Sequence, residues 1–232
     1  MTTPLRIGLL VFPDMTQLDM TGPLQVFSAV PGVEIHLVWK ALEPVTTDSV
    51  MLMTPTTTIE SCPQLDVICV PGGFGTDALM DDREVLDFLQ RQASSARYVT
   101  SVCTGSLVLG AAGLLDGYKA ATHWTAMDVL GELGAIPTHD RVVIDRNRVT
   151  GGGVTAGIDF ALTLVAEVFD RPTAEAVQLR LEYDPHPPFS AGSPDTAPAE
   201  VVARYQERIV AAKQRRAEAV ARAASRLAAA GR

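Results

Sequence analysis

Four short stretches carry side chains able to do chemistry, and three of them follow apolar β-like runs. The most pointed is Arg-Tyr-Val-Thr-Ser-Val-Cys-Thr-Gly-Ser-Leu-Val-Leu-Gly-Ala-Ala-Gly-Leu-Leu, residues 97–115. Tyr98 to Val102 is β-rich, and from Thr104 onward Leu107, Leu109 and Leu114 among alanines describe a compact apolar helix. Cys103 therefore stands where strand becomes helix, with Gly105 two residues on to permit a sharp turn. A nucleophile on such an elbow projects above the sheet edge, and the helix N-terminus behind it is expected to lower the thiol pKa. The same pattern also fits a small buried core residue.

The second stretch follows the first strand. Asp14 comes after a proline and has the character of a turn residue. Asp19, between Leu18 and Met20, fits either a carboxyl in dry surroundings or a helix N-cap. The third is Pro71-Gly72-Gly73-Phe74-Gly75-Thr76, where bare backbone lets amides approach a ligand. Its spacing matches neither a phosphate loop nor a dinucleotide fingerprint, so it reads as an oxyanion-binding turn or a plain tight turn. The fourth is His123-Trp124, a pair suited to lining a pocket at another strand end. Asp184 and His186 lie in a proline-rich loop and suggest no role.

These residues need a sheet whose carboxyl edge gathers them, and the order of elements supplies one. Arg6 to Phe12 reads as a buried first strand, followed by a loop and a helix carrying Leu24, Val26 and Phe27. Val33 to Leu42 is a second strand, with a hairpin excursion through Thr46 to Ile59. Asp66 to Val70 is another buried strand that places Cys69 in the core, and Asp81 to Ala93 an amphipathic helix. Beyond the elbow come a strand at Tyr118 to Thr122, a helix at Thr125 to Leu133, and a β pair at Arg141 to Ile144 and Val149 to Thr150. Helices follow from the Gly151–Gly157 run to Val168 and at Thr173 to Leu181, then a loop from Tyr183 to Pro198. The expected fold is one α/β domain over residues 1–197, mostly parallel with helices on both faces. Residues 198–232 form an alanine- and arginine-rich helix that packs on that domain or on a twin subunit.

Composition narrows the function. Of 232 residues, 47% are hydrophobic and 20% charged, which suits a globular protein with a full core. Cys62, Cys69 and Cys103 are too few and too unevenly placed for a disulfide framework or a zinc site. No metal or organic cofactor is expected. No apolar run has the length of a membrane span and the first residues resemble no signal peptide, so the expectation is a cytoplasmic protein. The net charge of −8 argues against nucleic acid. The last 35 residues depart from it: eight Lys or Arg against three acids make them +5 and the body −13.

Taken together and in order, these pieces resemble the ThiJ/PfpI superfamily, which shares the class I glutamine amidotransferase-like, flavodoxin-like fold. The resemblance rests on Phe12-Pro13 with Asp19 to Pro23, Val70-Pro71-Gly72-Gly73, Cys103-Thr104-Gly105, Ala112 to Gly117, Ala121-Thr122-His123-Trp124 and Thr155 to Asp159, and spans about residues 5–185. It implies that Cys103 is the nucleophile. Thr104 stands where peptidase-like and glyoxalase-like members often carry a histidine, and Asp19 where deglycase-like members carry glutamate. Asp19 with Cys103-Thr104, and Glu182 to Pro185, resembles the isocyanide hydratases. That implies hydration of a small-molecule isonitrile to an N-substituted formamide by a homodimer, with Asp19 and Thr104 assisting the thiol. Gly72, Gly73, His123 and Trp124 are the candidate substrate-binding residues. Two alternatives stay open: a glyoxalase- or deglycase-like carbonyl hydrolase, and the sensor domain of an AraC-type regulator without its DNA-binding part.

Overall fold

Strands without apolar–polar alternation need cover on both faces, and this chain wraps helices around such strands. The computed structural model describes residues 4–231. β1 (Leu5–Leu10) leads through a loop to α1 (Gln17–Phe27), and β2 (Val33–Trp39) follows. An antiparallel pair, β3 (Val45–Thr46) with β4 (Leu52–Met53), then makes the expected hairpin excursion. The chain returns as β5 (Thr57–Thr58) and β6 (Val67–Val70), then α2 (Thr76–Leu79) and α3 (Arg83–Ala93). β7 (Tyr98–Val102) and α4 (Gly105–Ala111) form the elbow. After β8 (Lys119–Ala120) come α5 (Met127–Leu130), β9 (Ile136–Pro137), β10 (Val142–Asp145) and β11 (Arg148–Gly151). The chain ends in α6 (Ala156–Val168), α7 (Arg171–Arg180) and α8 (Ala199–Ala229).

The main sheet has seven strands in the order β10-β11-β7-β6-β1-β2-β5, parallel except for β10 against β11. Leu37, Leu9, Cys69, Thr100 and Val149 lie in register across it, and β6 and β7 are buried along almost their whole length. The result is a single α/β domain with helices on both faces. α1 packs on α6 and α6 on α7, while α3, α4, α2 and α8 form a second group. Among the described residues no helix is long and apolar enough to cross a membrane.

The departures from the expected boundaries have local causes. The first strand ends at Leu10 because Phe12 and Pro13 already turn over the sheet edge, with Asp14 at φ 59°. The second stops at Trp39, where Lys40 leaves the sheet to reach Asp82. The strand expected at Tyr118 to Thr122 shrinks to β8 and pairs with β9 outside the main sheet. The helix expected at Thr125 to Leu133 is three short turns, closed by Gly134 at φ 84°.

Candidate active site

The carboxyl ends of β1, β6, β7 and β11 converge on Cys103. It has φ 56°, a left-handed conformation that costs an L-residue of this kind about 1–2 kcal/mol and so persists only where surroundings over-determine it. Those surroundings are close. The Cys103 N–H donates to the Gly151 carbonyl at 3.0 Å, and its own carbonyl accepts from Thr122 Oγ1 at 3.0 Å and Ser106 Oγ at 3.2 Å. Gly105 must be bare, since a Cβ there would stand 2.0 Å from the Val70 carbonyl oxygen.

Asp19 is placed from the other side. It lies in the first turn of α1, which Thr16 precedes without a side-chain cap, so the N-cap alternative does not hold. Its exposure is 0%. Oδ2 accepts the Gly72 N–H at 2.8 Å, while Oδ1 is buried with no N–H or O–H donor and the carboxyl lies against the Cys103 thiol. Burial pushes the Asp19 pKa up to about 7, the Gly72 N–H pulling it only part of the way back. The thiol is raised too, first by burial and then by the neighbouring carboxylate, against the Thr104 N–H that favours the thiolate. The helix-end lowering expected from the sequence is therefore overridden by desolvation in a site where Cys103 is 6% exposed. The two groups form one proton-sharing unit: carboxylate with thiol, or carboxylic acid with thiolate.

Gly72 and Gly73 take a different part from the one expected of an oxyanion-binding turn. The Gly72 N–H is committed to Asp19, and the Gly73 N–H donates to Thr104 Oγ1 at 3.0 Å. Neither amide is left for a substrate; one holds Asp19 and the other Thr104. A Cβ on Gly72 would stand 2.6 Å from Thr104 N and 2.8 Å from both Asp19 Oδ2 and Cys103 Cβ, so all three groups crowd one empty point. The Thr104 hydroxyl also donates to the Gly73 carbonyl at 3.2 Å, which ties it to the turn.

Over the thiol lies a cavity of about 420 Å³, lined by Cys103, Thr104, Gly73 and His123. His123 Nδ1 accepts from the Thr125 N–H, and burial, with Arg216 adding to it, pushes its pKa down to about 4. It is neutral, with its proton on Nε2. Trp124 does not line this cavity. It lies between His123 and Tyr205, its ring tilted to both with centroids 5.9 and 5.7 Å away, and borders an adjoining space under residues 191–202. Asp14 is an exposed turn residue, and Asp184 and His186 are exposed as well. Cys69 is buried in β6 and burial pushes its pKa up to about 12.

Sequence reasoning missed the wall that α8 supplies to this cavity. Tyr205, Ile209, Ala212, Lys213 and Arg216 close the cavity from above, and Asp48 joins its rim from the hairpin excursion. The spacing of four, three and four residues from Tyr205 through Ile209 and Ala212 to Arg216 was visible, but nothing local tells which surface that face meets. The same helix places its basic residues on acids of the body: Arg216 on Asp77, Lys213 on Asp128, and Arg222 and Arg226 on Asp81. Those four cations are thus engaged with the domain.

The DJ-1/PfpI family model matches residues 5–167. Among curated proteins, an isonitrile hydratase of Pseudomonas putida is 58% identical over 223 residues, covering 96% of this chain and 98% of that protein. A transcriptional regulator of Pseudomonas aeruginosa, GbdR, is 32% identical over 190 residues, and the chain spans only 51% of its length. Among solved structures, a ThiJ/PfpI family protein from Pseudomonas syringae has a TM-score of 0.91 at 48% identity, covering 94% of this chain and 90% of that one. The strained cysteine elbow, the aspartate beside it and these likenesses coincide: the chain belongs to the DJ-1/PfpI family.

Proposed function

We propose that this protein is an isonitrile hydratase, a cysteine-dependent lyase that adds water to an isonitrile and releases an N-substituted formamide. What carries the assignment is the near-full-length likeness to the Pseudomonas putida enzyme. The Cys103–Asp19 pair beneath the cavity supplies chemistry to match.

An isonitrile carbon accepts a nucleophile but has no leaving group. In the thiolate form of the pair, Cys103 Sγ bonds to that carbon, and the electron pair that develops there takes the proton held by Asp19. The product is a thioimidate, R–N=CH–S–Cys103, and Asp19 is left as carboxylate. That carboxylate then takes a proton from water as the oxygen adds to the imidate carbon. Protonation of nitrogen and cleavage of the C–S bond release R–NH–CHO and return the shared proton to the pair. Thr104 supports the step through its N–H beside the sulfur, and His123 offers a neutral N–H to the cavity. Gly72 and Gly73 act by holding Asp19 and Thr104.

The glyoxalase-like alternative finds less support, since Thr104 has no ionisable group and its hydroxyl is bound to Gly73. The regulator-sensor alternative is weakened by α8, whose inner face lines the cavity. A homodimer is part of the proposal, in line with exposed apolar residues such as Leu179, Phe189 and Val210, and light scattering on the purified chain tests it. Three unpaired cysteines suit the reducing cytoplasm as its location.

The test is turnover of an alkyl isonitrile by fully reduced enzyme. Formamide is expected to accumulate with no free amine, and intact mass after acid quench to show Cys103 heavier by the whole substrate. Cys103→Ala is expected to abolish both. Consumption of methylglyoxal at Cys103 with the isonitrile untouched would overturn the assignment.

A further inference from the structure

Arg216 is a cation placed for something outside the protein. It is 6% exposed, yet its one hydrogen bond among the described residues runs from Nε to Asp77 Oδ1 at 3.3 Å. Other partly enclosed arginines are satisfied. Arg148 donates to the Leu114 carbonyl at 2.7 Å and to Asn147 at 2.8 Å, with Tyr118 against its guanidinium. Arg226 reaches Asp81 at 2.6 Å and also the Met80 carbonyl. Arg216 Nη1 and Nη2 make no hydrogen bond among the described residues, yet they are not among the buried atoms left without a partner, so the fork keeps contact with open space and is free to donate there. Arg216 lines the cavity over Cys103, so that fork belongs to the substrate's space.

The neighbourhood favours an anion at that end. Asp77 is influenced by both Arg215 and Arg216, two cations against one carboxylate. Lys213 on the same wall is occupied by Asp128 at 3.0 Å. Asp48, the acid on the rim, accepts the Gln17 N–H at 3.1 Å at the start of α1. An isonitrile is linear along C≡N–R, so attack by Cys103 sends R away from the sulfur into the cavity. The helix that supplies Arg216 lies outside residues 5–167 matched by the family model, so it adds to the common core.

We propose that Arg216 binds a carboxylate carried by the substrate, making the preferred substrates isocyano-carboxylates and the products N-formyl amino acids. The inference rests on the hydratase reading and specifies its substrate class. Two parallel N–H···O bonds from one guanidinium to one carboxylate give the selectivity, a geometry that a lysine cannot reproduce.

The experiment compares isocyanoacetate with its methyl ester, which differ in charge at one end. Wild-type kcat/KM is expected to favour the acid by about 10–100-fold, as charged hydrogen bonds of this kind imply. In Arg216→Met the acid-to-ester ratio is expected to fall to near one, and in Arg216→Lys to an intermediate value. Because Met leaves Asp77 unpaired, an Asp77→Asn/Arg216→Met double variant is measured alongside and is expected to give the same ratio. Equal use of acid and ester by the wild type overturns the proposal, as does a preference that survives Arg216→Met or vanishes in Lys213→Met alone. A binding arm separates this from the hydratase reading. In a Cys103→Ala background, N-formylglycine is expected to bind about tenfold or more tighter than its methyl ester only while Arg216 is present. If neither isonitrile is consumed the hydratase reading falls, and this arm still decides whether Arg216 holds a carboxylate.

Discussion

Asp19 does two jobs that oppose each other. With its pKa near 7 instead of 3.8, its carboxyl can pass at neutral pH the proton that the proposed reaction requires, but the ionised form is poorly tolerated in the fold. Between about pH 4 and 7 the unfolded chain carries this group ionised while the folded chain still holds its proton, so stability falls as pH rises through that window. The withheld stability at pH 7 is on the order of a few kcal/mol. Asp19→Asn keeps an oxygen for the Gly72 N–H and removes the charge. Denaturant titrations are expected to show the variant gaining a few kcal/mol over wild type at pH 7 and much less near pH 4, with turnover lost. The wild-type kcat/KM is expected to rise with pH through about 7, as the fully protonated pair loses one proton. A stability difference that does not change with pH would show that Asp19 is ionised throughout.

The turn between β6 and α2 acts as a scaffold whose emptiness is its function. Gly72 lies where Asp19 from α1, Cys103 just after β7 and the Thr104 N–H all meet, and no side chain fits between them. Gly72→Ala puts a methyl 2.6 Å from Thr104 N, a backbone atom that moves only if the elbow moves. Displacement of reacting groups by ~1 Å can cost ~100-fold in rate. The expected outcome is a loss of that order or more in kcat/KM, with a changed rate of Cys103 alkylation and a fold that remains cooperative on heating. Undiminished turnover would mean that Asp19 and Cys103 do not act together.

At the scale of the whole molecule, α8 acts as a wall. Ala219, Val220 and Ala223 are buried against the body, and Arg216, Lys213, Arg222 and Arg226 meet acids around that apolar contact. The pairs made by Lys213, Arg222 and Arg226 reach solvent, contribute at most about 1 kcal/mol each and weaken with salt, so the small apolar stripe, with the buried Arg216–Asp77 pair beside it, carries the docking. Val220→Asp buries an unpaired carboxylate there, at a cost of several kcal/mol. Loosening of α8 is expected to raise KM for an isonitrile by opening the cavity, with protease cleavage appearing near residues 191–202. Raising the salt on wild-type enzyme is expected to change KM little for a neutral isonitrile. An unaltered KM in Val220→Asp would show that α8 is not part of the substrate's enclosure.

What the sequence by itself determined is what short-range geometry controls. The run Tyr98–Val102, then Cys103 and Gly105, specifies strand, strained corner and helix within nine residues, and the other apolar runs set a parallel sheet with a common edge. Asp19 was legible as a candidate because a carboxyl between Leu18 and Met20 has few ways to stay wet. Only the tertiary structure decided what depends on contacts between distant segments. Gly72 reaches back 53 residues to Asp19, and Gly73 forward 31 to Thr104, so the fate of their amides was invisible in the loop itself. The direction of the Cys103 pKa was decided in the same way, since a helix end is a local feature whereas burial is a property of everything packed around it. The cavity wall is the extreme case: Arg216 meets Asp77 across 139 residues, and helical spacing along α8 defines a face without naming the surface it meets. Periodicity encodes which side chains share a face; which faces then meet is set by the packing of the whole chain.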